Sequence, residues 1–344
     1  MYFLTIISPF HNSEEKCKRL LSTLLNLDDE GVEIILVDDG STDKTLPMLS
    51  EFKGSCQNNV SIITQDNKGP GGARNTGLKA AKGKYVWFVD SDDDIKIEAI
   101  SYIKDISKEQ YDFIDFDCIS NGSILNSMGL EAGIYEKDRV SPELLFYNFG
   151  WICTKVLNRE FLIRNKIYYP EYCIYEDGPL MAYIYPFHCG SFIKSDIVGY
   201  VHQLEYDSIT RTQGKINPRY FDRLYASIYG YKKGIELACD QQHVKILNKK
   251  FFCLYLLISV GTLRSIVPSK NWLLTYRVMK QYRKVAKELN IKENPRDLFT
   301  GSKKFKSYFL FHWYLSFLVL NDQTEFFEKE RYKAWQRPFP EITK

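Results

Sequence analysis

The first ~100 residues interleave short apolar runs with amphipathic stretches. Phe3 to Ile7 reads as a strand, ended at Ser8-Pro9 because proline cannot donate to a ladder. Glu14 to Leu27 sets Leu20, Leu21, Leu24 and Leu25 at helical spacing. Gly31 breaks that pattern, and Val32 to Val37 follows as a second buried strand. Ser41-Thr42-Asp43 offers an N-cap for a helix over Lys44 to Phe52. Val60 to Ile63 is a third strand, Asn67 to Gly72 a glycine-rich turn, and Ala73 to Ala81 the helix it leads into. Gly83 ends that helix before a fourth strand, Tyr85 to Val89. Strands alternating with helices need crossover connections, which predicts an α/β fold with a mostly parallel sheet covered on both faces.

From about residue 100 to 210 the pattern mixes short strands, turns and aromatic segments. Beyond about residue 215 strand signals fade. Arg219 to Glu236, Val244 to Ile266, Trp272 to Leu289 and Phe305 to Leu320 read as helices, with Lys292 to Lys304 as a connector. The expected organisation is one α/β domain over residues 1–214 and a helical region over 215–344.

Composition narrows the class. Hydrophobic residues at 44% and charged residues at 26% are ordinary for a globular chain of 344 residues. The formal net charge of +3, from 46 basic against 43 acidic residues, argues against a nucleic-acid binder, which carries a basic excess on one face. None of the eight cysteines forms a C-x-x-C pair, so a zinc or redox site of that kind is not expected and a reducing cytoplasm is. No run of about 20 apolar residues is present to span a membrane. The aromatic stretch Tyr308 to Leu320, beside Lys303 to Lys306, leaves three uses open for the C-terminal helices: a packed core, homodimerisation, or contact with the inner face of a membrane.

The candidate chemistry lies in four polar loops, each after a predicted strand: Ser8-Pro9-Phe10-His11-Asn12, Asp38 to Asp43, Asn67 to Asn75, and Asp90-Ser91-Asp92-Asp93-Asp94. In open parallel sheets ligands bind outside the carboxyl ends of the strands, so the four describe one site. Asp90 and Asp92 place two carboxylates two residues apart, suited to a hard cation such as Mn2+ or Mg2+ that also takes phosphate oxygens. Asp39 is able to accept a hydrogen bond from a nucleobase imide, or to cap the next helix. Gly69 to Gly72 leaves room for a diphosphate near the backbone, and Arg74 is able to neutralise it. Neither G-x-x-x-x-G-K-[ST] nor a first-strand G-x-G-x-x-G is present, which disfavours a P-loop NTPase and a dinucleotide-binding dehydrogenase.

These loops, in this order, resemble glycosyltransferase family 2, closely to about residue 95 and more loosely to about residue 210. The resemblance implies the GT-A fold, with residues 1–100 binding a nucleotide-sugar and 101–214 forming the acceptor side. It assigns Pro9, His11 and Asp39 to the base, Arg74 to the base or diphosphate, Asp90 to the ribose and Asp92 to the metal, with Asn67 and Ser91 alongside them in donor binding. His11 stands where relatives often carry tyrosine. Trp151 to Arg159, followed by Tyr175-Glu176-Asp177-Gly178-Pro179, resembles the acceptor side, with Asp177 as general base and Trp151, Lys155 and Glu176 near the acceptor. His202-Gln203 and Asp207 to Thr210 resemble a segment that often covers the donor. The activity implied is inverting transfer of a sugar, a hexose or N-acetylhexosamine, from a UDP-sugar to a hydroxyl of a glycan or lipid-linked glycan. A non-catalytic nucleotide-sugar binder and a sugar nucleotidylyltransferase are the alternatives; the latter lacks its glycine-rich loop near the N-terminus.

Overall fold

The computed structural model describes residues 2–136, 150–180, 189–203, 220–238 and 240–248. The chain divides into two compact units, Met1–Ser208 and Ile209–Lys344. In the first, β1 (Leu4–Phe10), α1 (Lys18–Leu25), β2 (Val32–Asp39), α2 (Thr45–Ser55), β3 (Asn59–Gln65), α3 (Gly69–Ala80) and β4 (Tyr85–Phe88) follow one another in chain order. β1 pairs in parallel with both β2 and β4, and β2 with β3. This is the crossover arrangement that the alternating pattern demands. The short β5 (Asp94–Ile95), α4 (Ile97–Ile106), β6 (Phe113–Ser120), β7 (Ser123–Leu125), β8 (Gly133–Tyr135), β9 (Lys155–Asn158), α5 (Arg159–Arg164), α6 (Asp177–Pro179) and β10 (Phe192–His202) complete the described part of this unit.

The sheet runs β3-β2-β1-β4-β9-β6-β10-β5, with β7 against β6 and β8 against β10. β9 is antiparallel to both β4 and β6, so it joins the parallel amino-terminal half to the second half. Leu20, Leu21 and Leu24 of α1 and Leu49 and Phe52 of α2 pack with Ile6, Phe10, Ile34, Leu36 and Trp87 into one buried cluster. Burying such side chains contributes roughly 1.5–3 kcal/mol each. α3 covers the opposite face, where Gly77 lies so close to Ile7 that a β-carbon there would fall 2.3 Å from Cγ2.

Two expectations change. Ser8-Pro9 does not end β1; the strand continues to Phe10 against β2. The β1–β4 ladder stops at Ile7 and Phe88, so beyond it one side of β1 is an edge and proline's missing N–H costs little. Asn67 to Gly72 is not all turn either. α3 begins at Gly69, with a proline in its first turn, where the absent N–H has no helical partner to lose.

In the second unit, α7 (Tyr220–Leu237) and a helix over residues 241–248 are described, tied by a Tyr231 hydroxyl donating to Asn248 Oδ1 at 2.6 Å. Trp272 to Leu289 and Phe305 to Leu320 lie outside the described residues, as does Asp207 to Thr210. Among the described residues no helix is long and apolar enough to cross a membrane.

Candidate functional site

The carboxyl ends of β1, β2, β3 and β4 bring the predicted loops to one rim. Loop one is stitched to loop two. The Asn12 amide donates to Ser41 Oγ at 3.0 Å, and the Thr42 amide donates to Asn12 Oδ1 at 2.8 Å. His11 Nδ1 lies 2.8 Å from the Asp39 carbonyl; a carbonyl only accepts, so Nδ1 carries the proton. The Asn67 side-chain nitrogen lies 3.2 Å from His11 Nε2. Pro9, half-buried, precedes this cluster in β1.

Asp39 does cap a helix, but not the next one. Its Oδ1 accepts from the Lys68 amide at 2.9 Å and from Gln65 at 2.6 Å, and its Oδ2 accepts from the Gly69 amide at 2.8 Å. The carboxylate therefore sits on the positive end of α3, the second helix further along the chain. Burial pushes its pKa up, and the hydrogen bonds from Lys68, Gln65 and Gly69 pull against that shift. Asp43 is the residue that caps α2, accepting from the Thr45 amide at 3.0 Å. Gly40 at φ +73° makes the turn after Asp39, and a β-carbon there would lie 3.1 Å from the Asn67 amide nitrogen. The helix end expected to cradle a diphosphate thus already carries Asp39. Gly71 is packed against Pro170 rather than open to a ligand.

Arg74 is 5% exposed and spans two carboxylates: Nη2 meets Asp90 Oδ1 at 2.5 Å, and Nη1 pairs with Glu176. Its ring neighbour is Tyr169, 5.4 Å from the guanidinium. Burial opposes the charge, but Asp90 and Glu176 hold its pKa well above the ordinary arginine value. Glu176 is itself buried. Burial, set against Arg74 and reinforced by the Asp177 charge, pushes its carboxyl up to about 7. The adjoining Asp177, half-buried, is raised by burial too, with Arg74 opposing and Asp90 adding to the rise. Asp90 of loop four and Glu176 of the Glu-Asp pair, 86 residues apart in the chain, are therefore neighbours across Arg74.

In the acidic loop, Ser91 turns inward to Ser13, with their hydroxyls 3.0 Å apart. Asp90 and Asp92 remain partly exposed. Asp93, which sequence reasoning passed over, is buried; it accepts from the Tyr200 hydroxyl at 2.6 Å and from the Gln203 amide at 2.7 Å. Burial first, then the Asp90 and Asp92 charges, lift its carboxyl to about 8. Among the described residues no three or more His, Cys, Asp or Glu side chains converge as a complete ion shell. What Asp90 and Asp92 offer is part of one, the kind a hard divalent ion completes with phosphate oxygens and water, and crowded negative charge favours such an ion. The donor set fits.

Two acceptor-side expectations separate. Trp151 is 39% exposed, its ring 5.5 Å from that of His202. Lys155 is fully buried. Its ammonium donates to Asp115 at 2.7 Å and to the Trp151 carbonyl at 2.9 Å. Lys155 thus supports the turn that carries Trp151, and its buried position does not offer an acceptor contact. No sequence signal separates this lysine from an exposed one until β9 is known to be an interior strand.

Residues 5–162 match the glycosyl transferase family 2 model. The chain is 33% identical over 174 residues to the poly(ribitol-phosphate) beta-glucosyltransferase of Bacillus spizizenii, an alignment covering 49% of this chain and 27% of that relative. Over 177 residues it is 30% identical to TarS of Staphylococcus aureus, a poly(ribitol-phosphate) beta-N-acetylglucosaminyltransferase, covering 50% of this chain and 30% of TarS. The chain thus spans under a third of either relative. The crystal structure of TarS 1-349 with UDP-GlcNAc superposes with a TM-score of 0.63 at 23% identity, over 82% of this chain and 80% of that one. A mannosyltransferase from Pyrobaculum calidifontis, with GDP-Man and Mn2+, superposes at 0.51 and 15% identity, over 91% of this chain and 84% of that one. Through residues 5–162 the chain is thus similar to glycosyl transferase family 2, and it is built on the GT-A fold.

Proposed function

We propose that this protein transfers a sugar, with inversion, from a UDP-sugar to a hydroxyl of a glycan or polyol-phosphate acceptor. The observation that carries the reading is the Asp90–Arg74–Glu176 bridge, which brings the acidic loop and the Glu176-Asp177 pair to one place. His11, Asp39 and Asn67 would hold the uracil, with Pro9 beneath it, and Asp90 and Ser91 would lie on the ribose side. Asp177 is the general base. Its carboxylate takes the proton of the acceptor hydroxyl as that oxygen bonds to the anomeric carbon and the carbon–diphosphate bond breaks. Direct displacement needs no covalent intermediate, so the anomeric configuration inverts. Burial raises the Asp177 pKa, which makes it a stronger proton acceptor than an exposed aspartate. Asp92 and Asp90 would hold a Mn2+ or Mg2+ ion, which when bound neutralises charge on the departing diphosphate. Glu176 and Trp151 line the acceptor side.

UDP-GlcNAc in the TarS structure and the poly(ribitol-phosphate) acceptors in the relatives' names point to the substrates to try first. The test is a screen of UDP-glucose, UDP-galactose and their N-acetyl forms, with Mn2+ or Mg2+, against poly(ribitol phosphate) and lipid-linked glycans. Chelator should abolish transfer. Asp92→Ala and Asp177→Ala should both be inactive, and only Asp92→Ala should lose metal-dependent UDP binding. Transfer that survives Asp177→Asn would remove that residue from the base role.

A further inference from the structure

Residues 169–176 reach Asp177 along a constrained path. Tyr172 and Tyr175 hold φ at +56° and +67°. Residues with side chains adopt such values where surrounding contacts impose them. One face of α3 supplies several of those contacts. Asn75 accepts from the Tyr169 amide at 2.8 Å and donates to the Tyr169 carbonyl at 2.9 Å and to the Glu171 carboxylate at 3.2 Å. The Lys68 carbonyl, at the start of the same helix, accepts from the Tyr172 amide at 2.6 Å. A methyl group at Gly71 would fall 2.3 Å from the Pro170 carbonyl oxygen and 3.2 Å from Glu176 Cγ, so only glycine lets the two backbones approach this closely. Arg74 grips Glu176 directly and Asp90 with its other arm. Positions 68, 71, 74 and 75 recur at three- and four-residue spacing, which puts them on one side of a helix.

We infer that this face of α3 is a seat that positions the general base, with Asn75 and Gly71 as positioning residues acting through residues 169–176. The inference rests on the reading of Asp177 as base. Its physical content is that the helix contributing Arg74 to the donor rim also fixes how far the Glu176-Asp177 pair stands from Asp90. Asn75 is 3% exposed, and its side chain bonds to Tyr169 and Glu171 of this segment.

The test compares Asn75→Ala and Gly71→Ala with Gly77→Ala, whose new methyl would press on Ile7 of β1 instead. Three readouts are taken on the full chain: UDP binding with Mn2+ by calorimetry, transfer rate, and hydrogen–deuterium exchange of residues 165–180. In Asn75→Ala and Gly71→Ala, kcat should fall by about 10²-fold, the cost expected of a base displaced by about 1 Å. UDP binding should stay at the wild-type level, and exchange over residues 165–180 should rise. Gly77→Ala should melt earlier yet keep the wild-type kcat below its melting temperature. Unchanged exchange over residues 165–180 in Asn75→Ala, or loss of UDP binding in parallel with kcat, would overturn the seat. Transfer that survives Asp177→Asn would instead defeat the base assignment while leaving the exchange result to judge the seat.

Discussion

Arg74 shows how much one side chain decides here. Its guanidinium fork meets two carboxylates 86 residues apart in the sequence, and a lysine ammonium is a point charge that is unable to span both. Arg74→Lys should therefore lower transfer by at least about tenfold, a typical cost of losing one charge-assisted bond of ~1.5–3 kcal/mol; steady-state rates with saturating donor would check it. Glu176 allows a test by pH. Its folded-state carboxyl is raised from 4.5 to about 7, so the folded protein holds a proton there that the unfolded chain releases. Its contribution is intact below about pH 4.5 and is lost as pH rises through 7. Glu176→Gln is neutral throughout. Thermal melts at pH 5 and pH 8 should show the variant gaining on the wild type as pH rises, and a constant difference would mean Glu176 titrates at its ordinary value. Of the residues at the strand-end rim, Asp39, Asp90, Asp92 and Arg74 stood out in the sequence by loop position and chemistry. Asp93 and Tyr200 were not, because a hydrogen bond linking residues 107 apart leaves no local spacing to read.

At the scale of elements, β9 is where the two halves of the sheet join, and it carries a charge into the interior. Lys155 pairs with Asp115 of β6, and Lys194 of β10 pairs with Asp115 at 3.7 Å and Asp117 at 2.6 Å. Removing one partner of a buried pair strands the other, so Lys155→Met should cost about 3–5 kcal/mol of stability, measured by denaturant unfolding. A loss below about 1 kcal/mol would mean Lys194 suffices for Asp115. The elements themselves were largely legible. Periodicity found β1 to β4 and α1 to α3 within a few residues, because buried strands and amphipathic helices impose different repeats. The misplaced ends have local causes. Pro9 is tolerated past the end of β4, and the glycines of α3 read as a turn although they are the close-packed face of a helix.

For the whole molecule, the proposed site predicts a linkage between nucleotide, cation and folding. UDP with Mn2+ should raise the melting temperature, with a stabilisation of ~2.7 kcal/mol at a ligand concentration of about 100 times Kd, and chelator should remove the gain. Absence of a shift with UDP and either ion would leave the rim without its proposed ligand. Hydrophobic period and loop chemistry alone determined that this chain forms an α/β sheet and that its polar loops gather at the strands' carboxyl ends, because both follow from spacing along the chain. The tertiary structure decided which helix Asp39 caps, that Lys155 is interior, and that Arg74 joins Asp90 to Glu176. Those facts depend on which distant segments meet, and a carboxylate, an ammonium or a glycine has the same local signature whether it lies at the surface or against another strand.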